Sequence, residues 1–474
     1  MKRERQVYLL DPKNLTPETI AVTFAKTSRS PQSFRQIAAE LTEEKSSQFH
    51  EKWVVGYGHS SVAEHAVLHI AVENLSRLAV ETLEGNRLAS YTEKSTRYQK
   101  WDSEDFYLPT ELNENEELRN SYLQTCQMLF DNYLQSLPAV LKVIEEENPR
   151  HPNEDESAFE KRMRSEYVDV SRFFLPACAL ANVGMTINAR ALEHAIKKML
   201  SSPLDEVKAL GEEIKKVALE NVPTLMKYAD PVPYLTKIAD ALGQEAVQVE
   251  AEKSASDWCQ LVSFDQDAED RVLASALYRY GDKRFSEVFA YVSSLPSEEK
   301  QRLGHLLTRD CSKFDIPIRE LEHASFTFDL ILDQGAYFEV KRHRMMTQTP
   351  QALTTHLGYA MPRKIVLAGL ESRYRQSMLT AQNAYEQIAA WNPSVASYVV
   401  PNGFNRRVLM TFNLRSAIHF INLRSAPNAH FSVRRVAQRI AEEICRVTPI
   451  LGTCLQYPTN ETWQSIEKEH FSAI

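Results

Sequence analysis

Long apolar runs are missing from this 474-residue chain. None reaches the roughly 18 residues needed to span a bilayer. The best candidate, 173–185, is too short and is broken by Pro176 and Asn182. No apolar segment of signal-peptide length follows Met1-Lys2-Arg3-Glu4-Arg5-Gln6, so a cytoplasmic location is expected. CxxC spacing is also missing. The six cysteines (Cys126, Cys178, Cys259, Cys311, Cys445 and Cys454) suggest neither a disulfide framework nor a zinc knuckle. Free buried thiols are expected. An excess of positive charge is missing as well: the net charge is −8 and the isoelectric point is near 6.0. That argues against nucleic acid as the main partner but leaves room for a small anion held by a few arginines. No P-loop, GxSxG elbow or HExxH motif is present. No metal site is expected, and His65 and His69 read as core or surface histidines.

What is present repeats. Glu64-His65 recurs as Glu322-His323. Arg87 follows His65 by 22 residues (87 − 65), and Arg344 follows His323 by 21 (344 − 323). Asn188-Ala189-Arg190-Ala191 recurs as Asn413-Leu414-Arg415-Ser416, and Leu175-Pro176 as Val400-Pro401. An amphipathic helix closes each copy, through Val207, Leu210, Ile214 and Val217 in the first. In the second, Val433, Val436, Ala437, Ile440, Ala441 and Ile444 do the same. An ordered series of matches signals duplication. With Asp230-Pro231-Val232-Pro233 as the boundary, the lobes are placed at 1–235 and 236–474.

Helical periodicity dominates. Leu75, Leu78, Ala79, Thr82 and Leu83 suit one helix face, and 188–200 another. The stretches 67–72 and 325–332 suit strands. The acidic stretch Glu145-Glu146-Glu147-Asn148-Pro149 reads as a solvated loop between helices. The expected class is α+β, helix-rich, with a mixed or antiparallel sheet in each lobe.

Lys341-Arg342-His343-Arg344 is the densest set of cationic donors. It is either a solvated turn or a partly buried arginine pair that needs an anion. The uncharged Met345-Met346-Thr347-Gln348 that follows favours burial. The loop 90–98 offers Ser95 and Arg97 to a sugar phosphate, or forms a hydroxyl-capped turn. Arg415 and His419 share a helix face, and Arg424 sits at that helix's end, where it can also offset the dipole. Gly56-Tyr57-Gly58-His59 reads as a turn.

These residues resemble the flavin-dependent thymidylate synthases. That family's signature is RHR, two variable residues, then S-x-N-E-x-S-x-R-Y. Lobe one carries the second half as Ser90-Tyr91-Thr92-Glu93-Lys94-Ser95-Thr96-Arg97-Tyr98, with RHR eroded to Gly85-Asn86-Arg87. Lobe two keeps Arg342-His343-Arg344 and loses the rest. The upstream Gly58-His59…Glu64-His65 is intact in lobe one, and the segment from Asn413 to Arg424 in lobe two. The losses are complementary, as a fused duplicate that divides labour would show.

The resemblance implies FAD as cofactor, NADPH and methylenetetrahydrofolate as cosubstrates, and dUMP as substrate. It implies a homodimer that imitates the family's tetramer. By carry-over, Arg342, His343, Arg344, Asn413, Arg415 and His419 hold flavin, together with His59, Ser61 and Glu64. Glu93, Ser95, Arg97, Arg172 and Arg342 bind the nucleotide. Arg424 stabilises negative charge at ring N3. Glu339 stands where the family has glutamine, which puts a carboxylate near an anionic ligand. Other readings are a related enzyme acting on another pyrimidine nucleotide or one-carbon donor, and a non-catalytic flavin- or nucleotide-binding protein.

Overall fold

The computed structural model describes residues 6–28, 30–151, 154–249, 257–309, 311–312 and 315–472. The chain separates into two compact units, and neither is one continuous stretch. Unit 1 comprises Met1–Lys94, Tyr107–Glu116 and Leu180–Glu252; unit 2 comprises Ser95–Phe106, Glu117–Ala179 and Lys253–Ile474. Among the described residues, no helix is long and apolar enough to cross a membrane.

Unit 1 holds an antiparallel sheet of β1 (Val67–Ser76), β2 (Ala89–Glu93) and β3 (Leu180–Asn188), in the order β1-β3-β2. Unit 2 holds β4 (Cys259–Phe264), β5 (Ser325–Asp333), β6 (Thr347–Pro350) and β7 (Asn405–Asn413), in the order β4-β5-β7-β6. The two sheets share a register. Val67 faces Asn188 in the first, and Ser325 faces Asn413 in the second. Thr186 lies between His69 and Ser90, and Thr411 between Thr327 and Thr347. Even the cross-strand hydrogen bond persists, His69 Nδ1 to Thr186 Oγ1 at 2.9 Å and Thr327 Oγ1 to Thr411 Oγ1 at 2.9 Å. The repeats read in the sequence are therefore repeats of structure.

Alternation puts Phe326, Phe328, Leu330 and Leu332 of β5 on one buried face with Val408, Met410 and Phe412 of β7. The Phe431–Val447 helix covers them with Val433, Val436, Ala437, Ile440, Ala441 and Ile444, the predicted stripe. Large side chains buried this way stabilise by roughly 1.5–3 kcal/mol each. In unit 1 the Asp205–Leu219 helix buries Val207, Leu210 and Ile214, while Val217, near its end, is exposed. Asn188 and Asn413 cap the helices that follow them, each accepting a backbone N–H at 2.9 Å. A second shared feature has its polarity exchanged. The strand-end cap Ser76 bonds Glu206 of a helix's first turn, and Asp333 bonds Ser432 at the matching place.

Some expectations are corrected. Leu75 belongs to β1, because the helix begins only at Arg77. Residues 145–147 are the last turn of the 32-residue Glu116–Glu147 helix, which continues through Pro138. All six cysteines are free, but only Cys126, Cys178 and Cys259 are buried; the other three are half-buried.

Candidate anion-binding site

The site in unit 2 is built from both copies of the repeat. Arg172 ends the Glu156–Ser171 helix and opens a short turn, completely buried. Its Nη1 donates to Thr96 Oγ1 at 2.9 Å and its Nη2 to the Gly335 carbonyl at 3.1 Å. A Cβ at position 335 would lie 3.1 Å from Asp333 Oδ1, a tight approach, and 3.7 Å from Arg172 Nε, an ordinary contact, so the glycine makes room for the Asp333 carboxylate rather than for the guanidinium. Arg172 Nε has no hydrogen-bond partner among the described residues.

Arg97 donates to Asp169 from Nε at 2.9 Å and from Nη2 at 2.8 Å, and from Nη1 to the Asn428 carbonyl at 3.0 Å. Ser95 Oγ accepts from the Arg97 N–H at 3.2 Å and so shapes the turn that presents Arg97. Arg424, the last residue of the Leu414–Arg424 helix, donates from Nε to His343 Nε2 at 2.9 Å and pairs through Nη1 with Glu339. The His419 ring lies 5.5 Å from that of His343.

Glu339 is the common neighbour. Burial alone would raise its carboxyl, but Arg424, Arg172, Arg342 and Arg97 together hold it below its ordinary value. Burial, followed by Arg342 and Arg97, lowers Arg424 against the pull of Glu339. His343 is pushed down to about 2 by burial first, then by Arg424 and His419, so its ring is neutral and accepts the Arg424 N–H. Arg97, Arg172, Arg342 and Arg424 act here together with the carboxylates Asp169 and Glu339, and Asp333 acts on Arg172 as well. Such a cluster is a fit for a dianion.

Other predicted residues are placed differently. The Asn413 side chain is spent on its helix cap. Arg415 pairs with Glu322 at 2.7 Å and donates to the Pro317 carbonyl at 2.9 Å. Unit 1 repeats that pair as Arg190 with Glu64. Arg342 is exposed and Arg344 half-buried, so of the partly buried pair expected here only Arg344 is partly buried; of this turn, His343 is the buried member. His59, Ser61, Glu64 and Glu93 lie in unit 1. His59 and Ser61 are exposed there, and the His59 ring is 5.9 Å from that of Trp53. Glu93, expected at the nucleotide, is buried against Arg77 at 2.9 Å.

Reading the sequence missed Asp169, Gly335 and His430. His430 is buried, accepts the Ser432 N–H at 3.1 Å and contacts the Asp169 carbonyl at 3.3 Å. Asp169 had a signal: it is a lone carboxylate in the run Tyr167-Val168-Asp169-Val170, three residues before Arg172.

Comparison with known proteins agrees with this architecture. A family model described as thymidylate synthase complementing protein matches residues 10–224 and again 260–450. A UPF0159 protein of Chlamydia muridarum is 30% identical over 435 residues, covering 88% of this chain and 82% of the relative. A UPF0159 protein of Thermoplasma acidophilum is 26% identical over 460 residues, covering 88% and 90%. A flavin-dependent thymidylate synthase of Clostridium tetani is 25% identical over 216 residues, covering 45% of this chain and 83% of its own length.

Proposed function

The chain belongs to the thymidylate synthase complementing protein family, and on that premise we propose that it methylates dUMP reductively to dTMP, using methylenetetrahydrofolate, NADPH and FAD. The convergence of Arg97, Arg172 and Arg424, drawn from both repeats, on the near-buried Glu339, on which the exposed Arg342 also acts, carries this reading. A nucleoside monophosphate brings the dianion that such a cluster of arginines favours. Arg97 and Arg172 hold the phosphate. Arg424 faces the pyrimidine and stabilises negative charge developing at N3, which raises the nucleophilicity of C5. His343, neutral and accepting from Arg424 Nε, fixes that guanidinium.

Arg342, Arg344, His343 and His419 are the residues assigned to the flavin. Their cationic and imidazole groups suit an anionic, planar cofactor. Asn413 and Arg415 act behind them, by capping the helix and by pairing with Glu322. FAD, when bound, would relay reducing equivalents from NADPH and mediate transfer of the carbon that methylenetetrahydrofolate brings, so the chain would need no cysteine nucleophile. A homodimer completes the assembly.

The test is tritium release from C5-labelled dUMP by purified protein with FAD, methylenetetrahydrofolate and NADPH. Release above blank is expected. A yellow, flavin-loaded protein that releases none removes the thymidylate assignment.

A further inference from the structure

We propose that Glu339 is an internal counter-anion that competes with the ligand's anionic group for the arginine cluster, so that binding exchanges one anion for another. The inference rests on reading this region as the nucleotide's anion site. Three observations support it. Glu339 is the carboxylate paired with Arg424, the residue at the helix end that also grips His343. Both partners are near-buried, with side chains 12% and 10% exposed, so water screens the pair poorly. Arg172, Arg342 and Arg97 also act on Glu339, whereas Arg97 has its own carboxylate in Asp169. Glu339 thus keeps the cluster tolerable without a ligand and weakens it towards one. A phosphate monoester dianion is the anion such an arginine cluster holds most strongly. A monoanion gains less from the same cluster.

The experiment is calorimetric titration of the full chain, wild type against Glu339→Gln and Glu339→Asp, with inorganic phosphate and with dUMP. Removing one unit of charge at this range is expected to tighten phosphate binding by roughly tenfold to a hundredfold in E339Q, with E339D close to wild type. Equal or weaker phosphate binding by E339Q, including no binding by either protein, overturns the proposal. Tighter phosphate binding by E339Q with no dUMP binding by any variant supports it and removes the dUMP reading instead. dUMP binding without any change in phosphate affinity does the reverse. Should E339Q fold only in phosphate, that dependence is itself the expected exchange. Should E339Q and Glu339→Met both fail to fold even in phosphate, the carboxylate serves the fold and the proposal falls.

Discussion

Pro176 and Pro401, the same position in the two repeats, face each other in an antiparallel bridge within unit 2. The hydrogen bonds around them are reciprocal. The Ala177 N–H donates to the Val400 carbonyl at 3.0 Å, and the Asn402 N–H to the Leu175 carbonyl at 2.9 Å. One step further out, Cys178 donates to Tyr398 at 2.9 Å and Gly403 to Phe173 at 3.0 Å. Each bond has its twin with the repeats exchanged, which is the contact pattern of a two-fold axis. A duplicated chain has kept inside itself the kind of interface that identical subunits make. The next residue outward is Arg172, so the axis brings the first repeat's arginine to the second repeat's Gly335.

Cutting a rung of this ladder is expected to loosen unit 2. Ala177→Pro removes the N–H bound to Val400 and strands a carbonyl, at a cost of about 1–3 kcal/mol. Asn402→Pro is expected to cost more, because Asn402 Nδ2 also bonds the Arg172 carbonyl at 3.0 Å. Urea unfolding measures both. An unchanged midpoint for A177P would count against the ladder.

Arg172→Lys keeps the charge but loses the fork that serves Thr96 and Gly335 together. The expected result is a KM for dUMP raised roughly tenfold or more, about 1.4 kcal/mol, with flavin uptake retained. Unaltered nucleotide affinity would remove Arg172 from the site.

Glu93 is expected to matter for stability rather than for ligand binding. Its pair with Arg77 is 1% exposed on both sides. Glu93→Ala removes a buried guanidinium's carboxylate partner at 2.9 Å and is expected to destabilise by up to roughly 3–5 kcal/mol. The double variant R77M/E93L is expected to recover most of that loss. Thermal and urea unfolding of the three variants decide, and a harmless E93A contradicts the pairing.

Acid is expected to weaken the fold through buried imidazoles. Burial and its cationic neighbours push His343 down to about 2 and His470 to about 3, from an ordinary 6.5. Both stay neutral when folded and take a proton when unfolded. Their contribution is complete above about pH 6.5 and is lost as pH falls towards 3. Each steepens the decline by about 1.4 kcal/mol per pH unit in that window. His343→Asn is expected to flatten the stability–pH slope between pH 6 and 4 by that amount. A slope that does not change refutes the neutral, buried His343.

Much of the fold was legible because it is local. Offsets between repeats, the β5 alternation and the stripe on 431–447 all depend on residues a few positions apart. The acidic stretch at 145–147 misled because its residues are good helix formers at the end of a long helix. Of the site, Arg97, Arg172 and Arg424 could be picked out by order and motif. Their carboxylate partners could not: Asp169 lies 72 residues from Arg97, and Glu339 lies 85 from Arg424. No periodicity links positions so far apart.

The amino-acid sequence by itself determined that the chain is a duplication and which face of the closing helices and of β5 is apolar. Those properties follow from motif order and side-chain period. Only the tertiary structure decided that stretches of the first repeat fall in the same compact unit as the second repeat, and which carboxylate each arginine meets. Charge pairing is set by distances of a few ångströms between groups, and only the folded path of the chain brings those groups together.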